Sequence, residues 1–279
     1  MASRSSVLGL LLVLPALLMV AAMFVYPFGL SIASALTGPD GFPSLANFGK
    51  AIELYSGDVV YTLLIVVIAT ALTASAAIAI AGALTLGETP WLVGALRWLY
   101  RWPLFIPFIV AAQCMRTFLA KNGLMNNSLV ALGILGPAET QSFLDWRGII
   151  LTFVWKQTPF VTLLLAGAIA SLDRATIEAA RNLGASRLRA LVEIVIPQVA
   201  PTLMVGLVLS FVTMLSVLSV PMMVAGSQPT MLTVDMAFRI NAYGDYPVAN
   251  ALGVVSYLMT AIAAWLYLRH SVEELEKRA

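Results

Sequence analysis

The chain has 279 residues, of which 60% are hydrophobic and 11% charged, with a mean hydropathy of +0.92 and a formal charge of +2. Soluble domains run at roughly 45–50% apolar and about 25% charged, so a water-soluble globular protein is excluded and a polytopic membrane protein is implied. The small, dispersed charge gives no support to a nucleic-acid partner, and the single cysteine, Cys114, excludes an intrachain disulfide framework.

In chain order, Val7 to Leu30 is apolar except for single Gly, Pro and Ser residues. A helix needs about 20 such residues to cross a bilayer, so this reads as a first span. The rival is a secretory signal, with Arg4 as its basic end and Ala33-Ser34-Ala35 as its cleavage site; signal cores run about 7–15 residues, and this stretch is longer. A Gly/Pro-rich loop over 31–58 precedes a second span over 59–86, where Ala71, Ser75, Ala79 and Ala83 recur every four residues as a small-residue packing face. A turn carrying Glu88, Arg97 and Arg101 leads to a shorter third span, 102–119, which Pro103 and Pro107 should kink at its start. The stretch Leu129–Leu135 is too short to cross. Further spans are expected over 149–171, 203–224 and 249–268, and a tail in which Glu273–Lys277 and Glu274–Arg278 stand at i,i+4 can extend the last helix into water. The result is an all-α fold of six transmembrane helices forming one membrane domain over 1–279.

Between the fourth and fifth spans lies a charged island over 172–201. From Asp173 to Glu193 it holds four arginines and three acids, and a segment so charged must sit in water. Ala175, Ala179 and Leu183 share one helical face, and Leu188, Leu191, Val192 and Val195 another beyond Gly184, which reads as helix, break, helix. Asp173 can cap the first helix, Gly184 can supply the left-handed residue that ends it, and Ser186 can cap the second. Pro197 and Pro201 punctuate the return to the membrane.

The order Glu178-Ala179-Ala180, Gly184, Ala185, then Ile194 and Pro197 resembles the EAA loop of binding-protein-dependent ABC importer permeases. Ile196 stands where that family usually has Leu. The Pro103–Pro107 region, Gly123-Leu124-Met125-Asn126 and the approach from Trp155 to Leu172 are similar to it as well, so the resemblance covers most of the chain. It implies the type I importer permease (MetI-like) fold, with a coupling helix that docks into a separate cytoplasmic ATPase dimer. Glu178 would offer an anion, Ala179 and Ala180 close approach, and Gly184 the angle between helices. The same resemblance implies a second permease subunit, identical or a sister, and an external solute-binding protein. It places ATP and Mg on the partner ATPase, leaving no cofactor in this chain. The alternative for Glu178 is a solvated loop in which it pairs with Arg174 or Arg181.

Lys and Arg number ten on the side of the termini and the island, against five on the opposite side. Both termini and the island are therefore expected to be cytoplasmic, in the inner membrane of a prokaryote.

Chemistry in the chain is sparse. The Gly49-Lys50 pair lacks the upstream glycine of a phosphate-binding loop, and a lone His270 without Cys/His clusters argues against a metal site. No catalytic residues are expected, and the chain is read as a transport subunit. Buried polar groups in a span need a partner or a role. Lys156 and Gln157 in the fourth span, Thr213, Ser216 and Ser219 at i,i+3 in the fifth, and Gln113 in the third are candidates to line a pathway. Against this, Lys156 lies close enough to the outer end to snorkel, and the hydroxyls can bond back to their own helix. Asp235 and Arg239, at i,i+4 in an outer loop, should pair. The run Asn182-Leu183-Gly184-Ala185-Ser186 looks like the polyamine, ferric ion, thiamine, phosphonate and sulfate branch, whereas sugar permeases usually have Asp before the Gly. A small polar or charged solute is expected, with a sugar-type importer, or an ATPase-independent secondary transporter, as the alternatives.

Overall fold

A computed structural model describes the backbone of residues 4–38, 40–225 and 229–278 and the side chains of 12–38, 40–225, 229–265 and 269. The expected tail pairs Glu273–Lys277 and Glu274–Arg278, and the side chains of Arg4 and His270, lie outside the described residues. The elements are helical throughout: α1 (Arg4–Val20), a π turn (Ala21–Val25), α2 (Tyr26–Ala35), α3 (Ala46–Leu86), α4 (Pro90–Leu99), a 3-10 turn (Trp102–Phe105), α5 (Phe108–Leu119), α6 (Leu124–Ala131), α7 (Trp146–Ala170), α8 (Arg174–Asn182), α9 (Arg187–Ala190), a second π turn (Leu191–Val195), α10 (Ile196–Ser216), α11 (Ser219–Val224), α12 (Leu232–Tyr243) and α13 (Tyr246–Arg278). Among the described residues five helical stretches are long and apolar enough to cross a bilayer. A bent pair, Pro90–Phe105 with Phe108–Ala131, makes a sixth if counted as one.

Three span boundaries differ from the sequence expectation. The second helix begins at Ala46 rather than at 59, because Lys50, Glu53 and Asp58 continue it outside the apolar run. The third is broken rather than kinked. Trp102–Phe105 belongs to the preceding arm, the chain turns by 111° at Ile106-Pro107, and α5 starts afresh at Phe108. Pro107 cannot donate an amide to the turn before it, so the 3-10 segment ends there. The fifth helix runs from Arg187 to Ser216 through the π turn that precedes Pro197, then stops at Val217, where ψ reaches 118°. A π turn absorbs the hydrogen bond that a proline cannot make, so Pro197 bends the entry without ending the helix.

The chain forms two compact units. In the first, Met1–Gly57 with Asp235–Leu258, the loop after α2 is closed by Asn47, whose side-chain amide donates to the Ala35 and Thr37 carbonyls at 3.1 and 2.8 Å. The Arg239 guanidinium donates to the Tyr55 hydroxyl and reaches Asp245 at 3.4 Å, and Lys50 joins Asp245 at 2.8 Å, while Asp235 is buried.

In the second unit, Asp58–Val234 with Met259–Ala279, two cores sit along α7. One gathers Ile65, Val66, Ala69, Phe153, Phe211 and Met214; the other gathers Ala77, Ala81, Val161, Leu165, Leu191 and Val195. The face of α3 that packs is therefore Val66, Ala69, Thr73, Ala77 and Ala81, and of the expected small-residue face Ala71, Ser75 and Ala79 are exposed and Ala83 is half-buried. Small side chains set how close helices approach but not which side of a helix faces its own chain. Asp58, buried at the start of this unit, accepts from the Thr230 amide at 2.9 Å, and the Thr62 hydroxyl one turn on accepts from the Leu232 amide at 3.0 Å. The Leu232 amide is the first of α12, where the helix itself supplies no acceptor.

Candidate functional site

The charged island folds as two short helices joined by a sharp bend. The Asp173 carboxylate accepts from the Ala175 amide at 2.9 Å and starts α8. At the other end Gly184 has φ +88°. Its amide donates to the Arg181 carbonyl and that of Ala185 to the Ala180 carbonyl, both at 3.0 Å, the paired bonds of a Schellman close. The Ser186 hydroxyl accepts from the Arg189 amide at 3.2 Å and opens α9.

What this geometry presents is a protruding surface. Glu178 and Ala179 are exposed and Ala180 is half-buried; Leu183 and Leu188, flanking the bend, are 90% and 70% exposed. Ile194 is half-buried and Pro197 exposed on the helix that follows, and Ala185 is half-buried in the bend. Glu178 makes no ion pair among the described residues. The arginine expected beside it, Arg181, turns instead to Glu88 in the turn between α3 and α4, at 3.0 Å, and Arg187 from the far side of the bend reaches the same carboxylate. The hydrogen bonds from Arg181 and then Arg187 hold the Glu88 carboxyl below the usual glutamate range. Arg189 pairs with Glu193 at 2.9 Å. An acid, two small residues and two exposed leucines on a bend held from behind form a surface suited to docking.

The base of this hook is seated in the second core. Leu191 is buried against α3, where a Cβ on Gly82 would come within 2.6 Å of the Leu191 methyl. Leu191 thus seats the hook against α3 and α7 through close-packed contacts.

The polar residues of the spans do not form one row. Lys156 is buried on α7 and donates to the carbonyls of Pro103 and Ile106, with its ammonium 4.9 Å from the Phe108 ring centre. It secures the broken arm of the third span. Gln157 is buried, with its amide 3.5 Å from the Ser210 carbonyl. The Thr213 hydroxyl donates to the Leu209 carbonyl at 2.7 Å and that of Ser216 to the Thr213 carbonyl at 2.9 Å, while Ser219 lies beyond the break at Val217, so the i,i+3 stripe is interrupted. Gln113 is exposed on α5. Sequence reasoning missed Thr73, Thr162 and Ser210 on α3, α7 and α10, whose hydroxyls are buried with no hydrogen-bond partner among the described residues. It also missed Glu88, whose two arginines lie more than ninety residues away along the chain.

The fold defines a multi-pass helical membrane protein, and comparison with known proteins gives its class. Residues 79–270 match the family described as binding-protein-dependent transport system inner membrane component, and the chain belongs to that family. It is an ABC importer permease of the inner membrane, a transport subunit and not an enzyme. It is 27% identical to the sulfoquinovosyl glycerol transport system permease protein SmoG of Agrobacterium fabrum, an alignment covering 94% of this chain and 89% of that one. Identity to the trehalose/maltose transport system permease protein MalF of Thermococcus litoralis is 28%, over 63% of this chain and 61% of the relative. To the spermidine/putrescine transport system permease protein PotB of Escherichia coli it is 24%, over 60% and 62%. The fold is that of a permease chain in a bacterial alginate ABC transporter solved with an alginate pentasaccharide-bound periplasmic protein, at a TM-score of 0.78, 20% identity, and coverage of 95% and 93%. A chain of the MetNI methionine ABC transporter matches at 0.59, with 16% identity and coverage of 78% and 94%.

Proposed function

We propose that the bend from Glu178 to Gly184 is the element through which this permease is driven by a cytoplasmic ABC ATPase dimer. The observation that carries the reading is the exposed Glu178, without an ion pair among the described residues, beside Ala179 and Ala180 on a helix closed by Gly184 and held from behind by Glu88. ATP and Mg then belong to the ATPase, both termini face the cytoplasm, and an external binding protein delivers the solute. The exposed row Ala71, Ser75 and Ala79 supports a second permease subunit, because small residues allow a neighbouring helix close approach. Co-purification in mild detergent tests the docking role. The ATPase is recovered with the unmodified chain and lost with a Glu178→Ala, Gly184→Trp double variant that still inserts; equal recovery with both refutes it.

For the solute, the Asn182-Leu183-Gly184-Ala185-Ser186 run supports a small charged molecule of the polyamine, phosphonate, thiamine or ferric ion class. The near full-length likeness to a sulfoquinovosyl glycerol permease supports a second reading, a sugar-type solute. Uptake by the reconstituted importer, competed by spermidine in one arm and a glycoside in the other, separates the two.

A further inference from the structure

Behind the hook lies a cleft of about 490 Å³, enclosed by the end of α3, α4 and the residues after it, the end of α7, and α8. Arg97, Arg101, Arg174 and Arg181 line it, with Glu88 and Glu178. Of these charges Glu88 is already taken by Arg181 and Arg187, and the Arg101 side chain rests on the Tyr100 hydroxyl at 3.1 Å. Arg97 and Arg174 make no ion pair among the described residues. The cleft therefore holds a surplus of positive charge in a protein with little charge to spare.

Its position fixes what that charge meets. The short helix α4 exposes Trp91, Leu92, Trp98 and Leu99, and Trp98 stands edge-on to Trp102 with ring centres 4.6 Å apart. Tryptophans gather at headgroup depth, and a short helix with exposed tryptophans and leucines beside arginines lies in the membrane surface. That arrangement sets Arg97 and Arg101 at the level of lipid phosphates, while the wall formed by Ile169 and Ile177 offers apolar surface beside them.

We propose that this cleft binds the phosphate of an anionic phospholipid, such as phosphatidylglycerol, from the leaflet in which α4 lies. Arg97, Arg101 and Arg174 hold the headgroup, and the acyl chains leave along the tryptophan face of α4. Because Arg174 and Glu178 belong to α8, an occupied cleft ties the hook to the membrane surface and places a negative charge beside the acid proposed to dock. Only that regulatory consequence rests on the proposed docking role; binding does not.

Native mass spectrometry of the purified full chain, equilibrated with equal amounts of dioleoyl phosphatidylglycerol and dioleoyl phosphatidylcholine, reads binding with no ATPase present. The unmodified chain retains phosphatidylglycerol in preference. An Arg97→Gln, Arg101→Gln, Arg174→Gln variant retains roughly a hundredfold less, since each arginine at an anionic surface contributes about fivefold. The same three positions changed to Lys keep most of the preference, Lys121→Gln leaves it unchanged, and single Arg97→Gln and Arg174→Gln variants show intermediate losses should the triple variant fail to fold. Equal retention by the unmodified chain and a folded glutamine variant overturns the proposal. Displacement of phosphatidylglycerol by excess inorganic phosphate overturns it too, by assigning the cleft to a free anion.

Discussion

Glu88 accepts from Arg181 at 3.0 Å and from Arg187, two arginines on opposite sides of the Gly184 bend. One carboxylate thus fixes the angle between α8 and α9 and ties both to the end of α3. The groups are exposed, and exposed ion pairs add little to global stability. What Glu88 controls is the angular spread of the hook. In a Cys114→Ser background carrying spin labels at Thr89 and Asn182, the Glu88→Gln change is expected to broaden the interlabel distance distribution without lowering the melting temperature.

The same pair gives a pH dependence whose sign is set by the lowered Glu88 pKa. A carboxyl depressed in the folded state contributes order above its free value and loses it as the pH falls through the depressed one. The spin-label distribution should therefore stay narrow from neutral pH down through the ordinary glutamate value of 4.5 and broaden only below it. Broadening at or above that value contradicts the assignment.

Gly184 is constrained by its backbone alone. A Cβ there meets nothing within 4 Å, so the cost of a side chain comes from φ +88°, about 1–2 kcal/mol for an ordinary L-residue. Gly184→Ala should accelerate amide exchange over 183–186, where the Schellman bonds are made. Gly184→Asn, which tolerates left-handed φ, should restore most of the protection.

Lys156 separates a structural role from a pathway role. Removing its ammonium leaves the Ile106 carbonyl without the donor described for it and weakens the hold on the Pro103 carbonyl, at a cost of about 2–3 kcal/mol. Lys156→Met should lower the melting temperature in detergent and loosen the break between the 3-10 turn and α5. Unchanged melting with lost transport would instead mark Lys156 as a pathway residue.

Local chemistry in the sequence locates the hook, because its cap, its bend and its second cap lie at Asp173, Gly184 and Ser186 and each acts within a few residues of itself. Hydropathy locates the helices but not their ends. Charged residues at Lys50, Glu53 and Asp58 remain helical because two of them find partners, at Asp245 and at the Thr230 amide, far along the chain. The packing face of α3 is illegible for a related reason: every-fourth small residues describe two faces of a long apolar helix equally well, and tertiary contact decides between them. Glu88 carries no periodic signal at all, since its meaning depends on two arginines brought to it by the fold.

Asn126 offers a test on the segment between the third and fourth spans. Its amide is buried and donates to the Ala120 carbonyl at 3.1 Å and the Gln141 carbonyl at 2.7 Å, closing the loop after α6 onto the end of α5. Beside it Gly123 packs so tightly that a Cβ would lie 2.6 Å from the Thr117 and Phe118 carbonyls. Asn126→Ala leaves the Gln141 carbonyl without the donor described for it, at about 1–3 kcal/mol, while the Ala120 carbonyl keeps the Gly123 amide at 2.8 Å. Asn126→Asp replaces the donor by an acceptor facing both of them, and should be worse. The measurement is protease nicking of the 120–146 segment in the purified chain: cleavage should rise for Ala and further for Asp. Equal resistance in all three proteins would show that the loop is held by its other contacts and that the buried amide is dispensable.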